Sequence, residues 1–185
     1  VYAFNWLADF AHTSVEHHQI YWTMITLENA NAARIKIGKM PHTYLLLTKW
    51  IGRFWEMESE LAGGYCHDDN FYIGTSVSDQ ATADERIPHL MKFAENGWKT
   101  WLSIEPMLGP VVLKDEWLAA LNQVVVGGET GRDARKLEIR WVEDIQRQCH
   151  LSGVPFFLKS LGSAHKNSRE LADGEHNELA WKIAK

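Results

Sequence analysis

Val124-Val125-Val126-Gly127-Gly128-Glu129-Thr130-Gly131 joins three β-branched apolar residues to a glycine pair and then a carboxylate. An unbroken valine run reads as a strand covered on both faces, the habit of parallel sheets packed against helices. Glycines at its end let backbone or ligand approach closely. The carboxyl end of such a strand is where α/β folds gather their functional residues, so the other strands are read for the same ending.

Working outward, the same unit recurs. Val1 to Phe4 opens an apolar segment that runs to Asp9, and Ser14 is placed to cap a helix with Ile20, Met24 and Leu27 on one face, ending by Gly38. Tyr44 to Thr48 is a second strand, followed by Ile51, Phe54, Trp55, Glu58 and Leu61 at helical spacing. Gly63-Gly64 ends that helix, and Cys66 to Asn70 reads as a loop. Phe71 to Val77 is the third strand. Ser78 or Asp79 caps the next helix, which Pro88 is expected to break in two. Thr100 to Ile104 is the fourth strand, with a short helix over Leu113, Trp117, Leu118 and Leu121. The valine stretch is the fifth, followed by a helix carrying Trp141, Ile145 and Cys149 that stops at Gly153. Val154 to Leu158 is the sixth.

Six alternations predict a parallel α/β sheet of about six βα units over residues 1–162, either an open sheet or an incomplete TIM-like barrel, with a tail over 163–185. A complete eight-unit barrel needs about 250 residues, and this chain has 185. Val1 to Phe4 reads as a strand already under way, which points to an upstream segment. The 45% apolar content supports one core. A net charge of −5 with no long Lys/Arg cluster argues against non-specific nucleic-acid binding. Cys66 and Cys149 form neither a CxxC pair nor a disulfide framework, and no run of about 18 apolar residues exists. The expected setting is a reduced cytoplasm, without membrane insertion.

Read together, the strand ends place Asp9, Lys49, Ser76, Glu105, Glu129 and Lys159 at one edge. Six polar side chains there predict a shared pocket in which opposite charges, such as Lys49 and Glu105, pair. Glu129 is the first candidate, because Gly127 and Gly128 leave room beside it. Arg132 and Arg135 follow it, suited to an anion or a surface salt bridge. Glu105 is placed either for a pocket role or for an ion pair with Lys49 or Lys159. Lys159 suits a phosphate or carboxylate, or Glu129 itself.

Leu45 to Lys49, Ile73 to Val77, Leu102 to Pro110, Val124 to Gly131 and Gly153 to Lys159, with Asp133-Ala134-Arg135 and Asp173-Gly174, carry a resemblance. In this order they resemble a phage-associated protein family of unknown function, labelled by phage gene-product numbers thirty-seven and sixty-eight. The resemblance implies a radical-SAM-like partial barrel. In it an upstream three-cysteine motif would hold a [4Fe-4S] cluster, and strand-end residues would hold S-adenosylmethionine. Ser76, Gly127, Gly128, Glu129 and Lys159 are then the candidate cofactor contacts, and Lys49, Glu105 and Glu129 the candidate catalytic groups. Neither Cys66 nor Cys149 matches the cluster motif, so this chain alone supplies no cluster.

Asp9, His12, His17 and His18 have ligand chemistry for zinc or iron. Their spacing matches no closed site, since His17 and His18 point about 100° apart on a helix. The nine tryptophans have the spacing of core or interface residues rather than a base-stacking surface.

Three functions remain in view. The first is an enzyme whose full-length form uses S-adenosylmethionine and a cluster, on a nucleotide or nucleic-acid substrate. The second is a non-catalytic binding or regulatory protein that keeps the pocket, and the third a metal-dependent hydrolase built on Asp9 and its neighbouring histidines. Exposed sheet edges predict association with a second copy or with a partner segment that supplies the missing strands.

Overall fold

A computed structural model describes residues 2–4, 9–60 and 69–165. The expected loop over Cys66 to Asp68 and the tail beyond His165 lie outside the described residues. Six parallel strands form one open sheet in the order β1-β2-β3-β4-β5-β6. They are β1 (Tyr2–Phe4), β2 (Tyr44–Thr48), β3 (Phe71–Val77), β4 (Lys99–Ile104), β5 (Gln123–Gly127) and β6 (Phe156–Ser160). The helices between them are α1 (His17–Lys36), α2 (Ile51–Glu60), α3 (Gln80–Glu95), α4 (Asp115–Ala120) and α5 (Ile139–Ser152). Five βα units and a final strand therefore replace the six full units expected, because no helix follows β6 within the described residues.

An order without reversal has a consequence for the layers. Right-handed crossovers taken always in one direction put every helix on the same side of the sheet. Leu46, Ile73, Leu102, Ile104, Val124 and Val126 face that side, at 1% exposure or less, in one core with Ile20, Phe54, Ile87, Leu90, Phe93 and Ile145. Alternation sends the intervening residues to the opposite face. There Leu45, Tyr72, Trp101 and Val125 form a second, smaller cluster, with Leu47 and Phe157 packed against it. The valine run is buried on both faces, as its composition predicts.

Local chemistry explains most boundaries. Helix α1 carries a capping box between Glu16 and Gln19 rather than starting from Ser14, and its buried Asn31 clasps the segment entering β2. The Asn31 amide donates to the His42 carbonyl at 2.9 Å and accepts from the His42 N–H at 2.7 Å. Asp79 caps α3, accepting from the Thr82 N–H at 2.9 Å, a bond that holds its carboxyl below the usual range. Pro88 does not divide α3, contrary to expectation. It sits on the exposed side between buried Ile87 and Leu90, so packing holds both halves, and the Asp84 carbonyl, to which proline offers no N–H, belongs to an exposed residue. Gly153 ends α5 with φ +69, and the Val154 N–H bonds back to Cys149. That use of Val154 moves the start of β6 to Phe156, two residues later than the pattern predicts.

Candidate functional site

Side chains of the helix-free face change character along the strands. Leu45 pairs with Tyr72, and Leu47 with Gly74, which pairs in turn with Trp101. One step further, Ser76 pairs with Ser103, which pairs with Val125. Beyond them come Glu105 and Lys159. The face thus runs from an apolar floor to a polar rim at the carboxyl ends.

Glu105 shapes the rim. Its carboxylate crosses β5 at Gly127, where a Cβ would lie 2.8 Å from Oε1, and meets the Lys159 Nζ at 2.9 and 3.1 Å. The Lys159 side chain is 49% exposed and that of Glu105 24%, so the pair is open to solvent from one side. The Ser76 hydroxyl donates to the Glu105 carbonyl at 3.0 Å, fixing the backbone that carries the carboxylate. The Glu105–Pro106 peptide is cis. Ser103 is 2% exposed.

Glu129 has a different task from the one its glycines suggest. Arg135 grips it through Nε at 2.8 Å, through a terminal guanidinium nitrogen at 2.7 Å and through its own backbone N–H at 2.7 Å. These bonds lower the Glu129 carboxyl to about 2. Its backbone carbonyl accepts from the Ser163 N–H at 2.9 Å, and the Gly131 N–H donates to the Ser163 hydroxyl at 3.1 Å. Glu129 therefore shapes the loop after β5 and ties it to the loop after β6. Gly128 serves the same junction, since a Cβ there would strike the Leu161 carbonyl.

At the other end of the edge, Asp9 binds the end of β2. It accepts from the Thr48 hydroxyl, and from the Lys49 N–H at 2.6 Å. Lys49 contributes its backbone there, while Glu105 pairs with Lys159 instead. His12 takes a bond with the Ser14 hydroxyl at 2.8 Å and lies edge-on to Trp50, and His17 begins α1 on its exposed side. No grouping of three or more His, Cys, Asp or Glu suited to a metal occurs among the described residues. Arg53, which the sequence did not single out, orders this loop by donating to the carbonyls of Ala11, His12 and Val15 at 2.7–3.0 Å. Ser103, which alternation places on the face opposite to Ile104, was not among the candidates, although it stands two residues before Glu105 on the same face.

Among the described residues, no helix is long and apolar enough to cross a membrane. A family model described as protein of unknown function (DUF5131) matches residues 1–182. The chain belongs to that family. No curated protein and no solved structure matches it. What family membership adds is a shared sequence over nearly the whole chain, without an activity, so the chemistry of the site rests on the geometry above.

Proposed function

We propose that this DUF5131 chain is a radical-SAM-like partial barrel whose polar rim binds S-adenosylmethionine, and that it acts in an enzyme of phage-related origin. The observation that carries the reading is the unreversed strand order, which brings Ser76, Ser103, Glu105 and Lys159 to one edge above an apolar floor. Such an order is that of a barrel sector rather than of a doubly wound sheet, whose order reverses at a switch point. Polar groups at the carboxyl ends over an apolar wall suit a ligand that is itself part charged and part apolar.

The cysteines of this sequence do not fit a [4Fe-4S] cluster. Three thiolates are required; the chain has two cysteines, and Cys149 is buried on the inner face of α5 with its thiol pushed up to about 12 by that burial. The residues of this chain bind and orient the ligand. S-adenosylmethionine, when bound, supplies a sulfonium centre with activated carbon–sulfur bonds. Calorimetric titration of S-adenosylmethionine into the full chain tests the reading. Saturable binding that Lys159→Met weakens about tenfold is expected, and absence of binding overturns the proposal.

A further inference from the structure

Helices α2 to α5 pack side by side along the sheet, while α1, at the end of the row, buries Ile20, Met24 and Asn31 of its 20 residues. Its opposite side bears Trp22, Thr26, Asn29 and Ala33, whose spacing of four, three and four residues sets them in one outward row. All four are exposed, Trp22 at 60%. Among the described residues, Tyr21, Trp22, Ile35, Ile37 and Met40 make up most of the large apolar side chains left exposed, and all belong to α1 or the turn after it. Apolar exposure concentrated in one place marks an interaction surface. From His17 to Ala33 the one charged residue is Glu28, which is partly buried and off the row.

This row complements itself. It is symmetric about the midpoint between Leu27 and Glu28, so a second copy laid antiparallel sets the large Trp22 against the small Ala33 at both ends, with Thr26 against Asn29 between them. The Thr26 hydroxyl donates its proton to the Trp22 carbonyl at 2.7 Å, and so meets a second copy as an acceptor, which matches the N–H groups of the Asn29 amide. Tyr21 lies edge-on to Trp22, with ring centroids 5.4 Å apart, and steadies the indole. Glu16 stands at the start of α1 and Arg34 and Lys36 in its last turn, so antiparallel pairing brings opposite charges together where parallel pairing brings like ones. A chain of net charge −5 meets its own copy with least repulsion at a face without charge. We infer that this row of α1 is the interface between two copies of the chain, packed antiparallel about a two-fold axis. A helix of this length is about 30 Å long and about 10 Å across. Its footprint of roughly 300 Å² is well under the ~800 Å² per partner of a standard stable interface, so the association is weak and concentration-dependent. The inference is independent of the reading of the polar rim.

Sedimentation velocity of the full chain from about 1 to about 500 μM tests the inference. The wild-type chain is expected to pass from monomer to dimer across that range. Trp22→Glu and Ala33→Glu, both at exposed sites, should leave the circular dichroism unchanged and each raise the dimer dissociation constant at least about tenfold. Trp22→Ala alone opens a gap and Ala33→Trp alone sets indole against indole, so each weakens the dimer. The double variant Trp22→Ala/Ala33→Trp exchanges the two sides of the contact and should restore the wild-type constant to within about threefold. A general loss of apolar surface would not recover in this way. A monomer at every concentration overturns the inference. A dimer that both glutamate variants leave intact also overturns it, by putting the contact elsewhere, such as at the β1 edge. Failure of the double variant to recover overturns the antiparallel register and the interface with it.

Discussion

Two side chains leave strand β4 in opposite directions, and each crosses a neighbouring strand at a glycine. Trp101 crosses β3 at Gly74, where a Cβ would lie 2.5 Å from its Cε2, and donates from Nε1 to the Leu46 carbonyl of β2 at 3.2 Å. Glu105 crosses β5 at Gly127 and reaches Lys159 of β6. The first crossing ends on backbone and is buried, with Trp101 at 7% exposure. The second ends on a charged side chain open to solvent. Close approach permitted by glycine is thus common to a structural lock and to a candidate binding site. The group at the far end distinguishes them: a backbone carbonyl in an apolar cluster stays where it is, whereas a half-exposed ammonium can exchange partners.

Breaking the two crossings separately should expose that difference. Gly74→Ala has the largest expected effect, because the indole must leave its place or β3 must shift. A loss of about 2–3 kcal/mol in chemical denaturation is expected from overpacking a buried site. Gly127→Ala displaces only the end of a flexible carboxylate. Its expected cost is about 1 kcal/mol or less, with the greater loss in ligand binding. Equal destabilisation by the two variants would erase the distinction.

The smallest effect concerns the loop clamp beside the second crossing. The Glu129 carboxyl is lowered to about 2 from an ordinary 4.5 by Arg135. Its contribution to stability is therefore fully present above the unfolded value and is lost as pH falls from about 4.5 towards 2. Amide exchange in residues 129–135 should accelerate within that window, and Arg135→Ala should move the acceleration to higher pH. Exchange that is flat across the window in both proteins would show that the clamp does not hold the loop.

Much of this architecture was legible in the residues. The valine run, the apolar faces of α1, α3 and α5, the Asp79 cap and the Gly153 stop all depend on neighbours a few positions away. The polar rim was legible too, since each strand could be read to its end. Glu129 was misleading because Gly127-Gly128 looks like space for a ligand, while its true occupants are Glu105 and the Leu161 carbonyl, supplied by other strands. The integrity of α3 across Pro88 depended likewise on Ile87 and Leu90 packing into a core that no local pattern specifies.

Periodicity and capping act over one or two turns of chain, and so the sequence by itself determined the order of strands and helices, which residues alternate to each face, and that the carboxyl edge is polar. Which charges meet was decided only by the tertiary structure. Glu105 and Lys159 are 54 residues apart, and Coulombic partners are chosen by distance in space after the strands have taken their places. Glu129 and Arg135, by contrast, are six residues apart and meet within one loop.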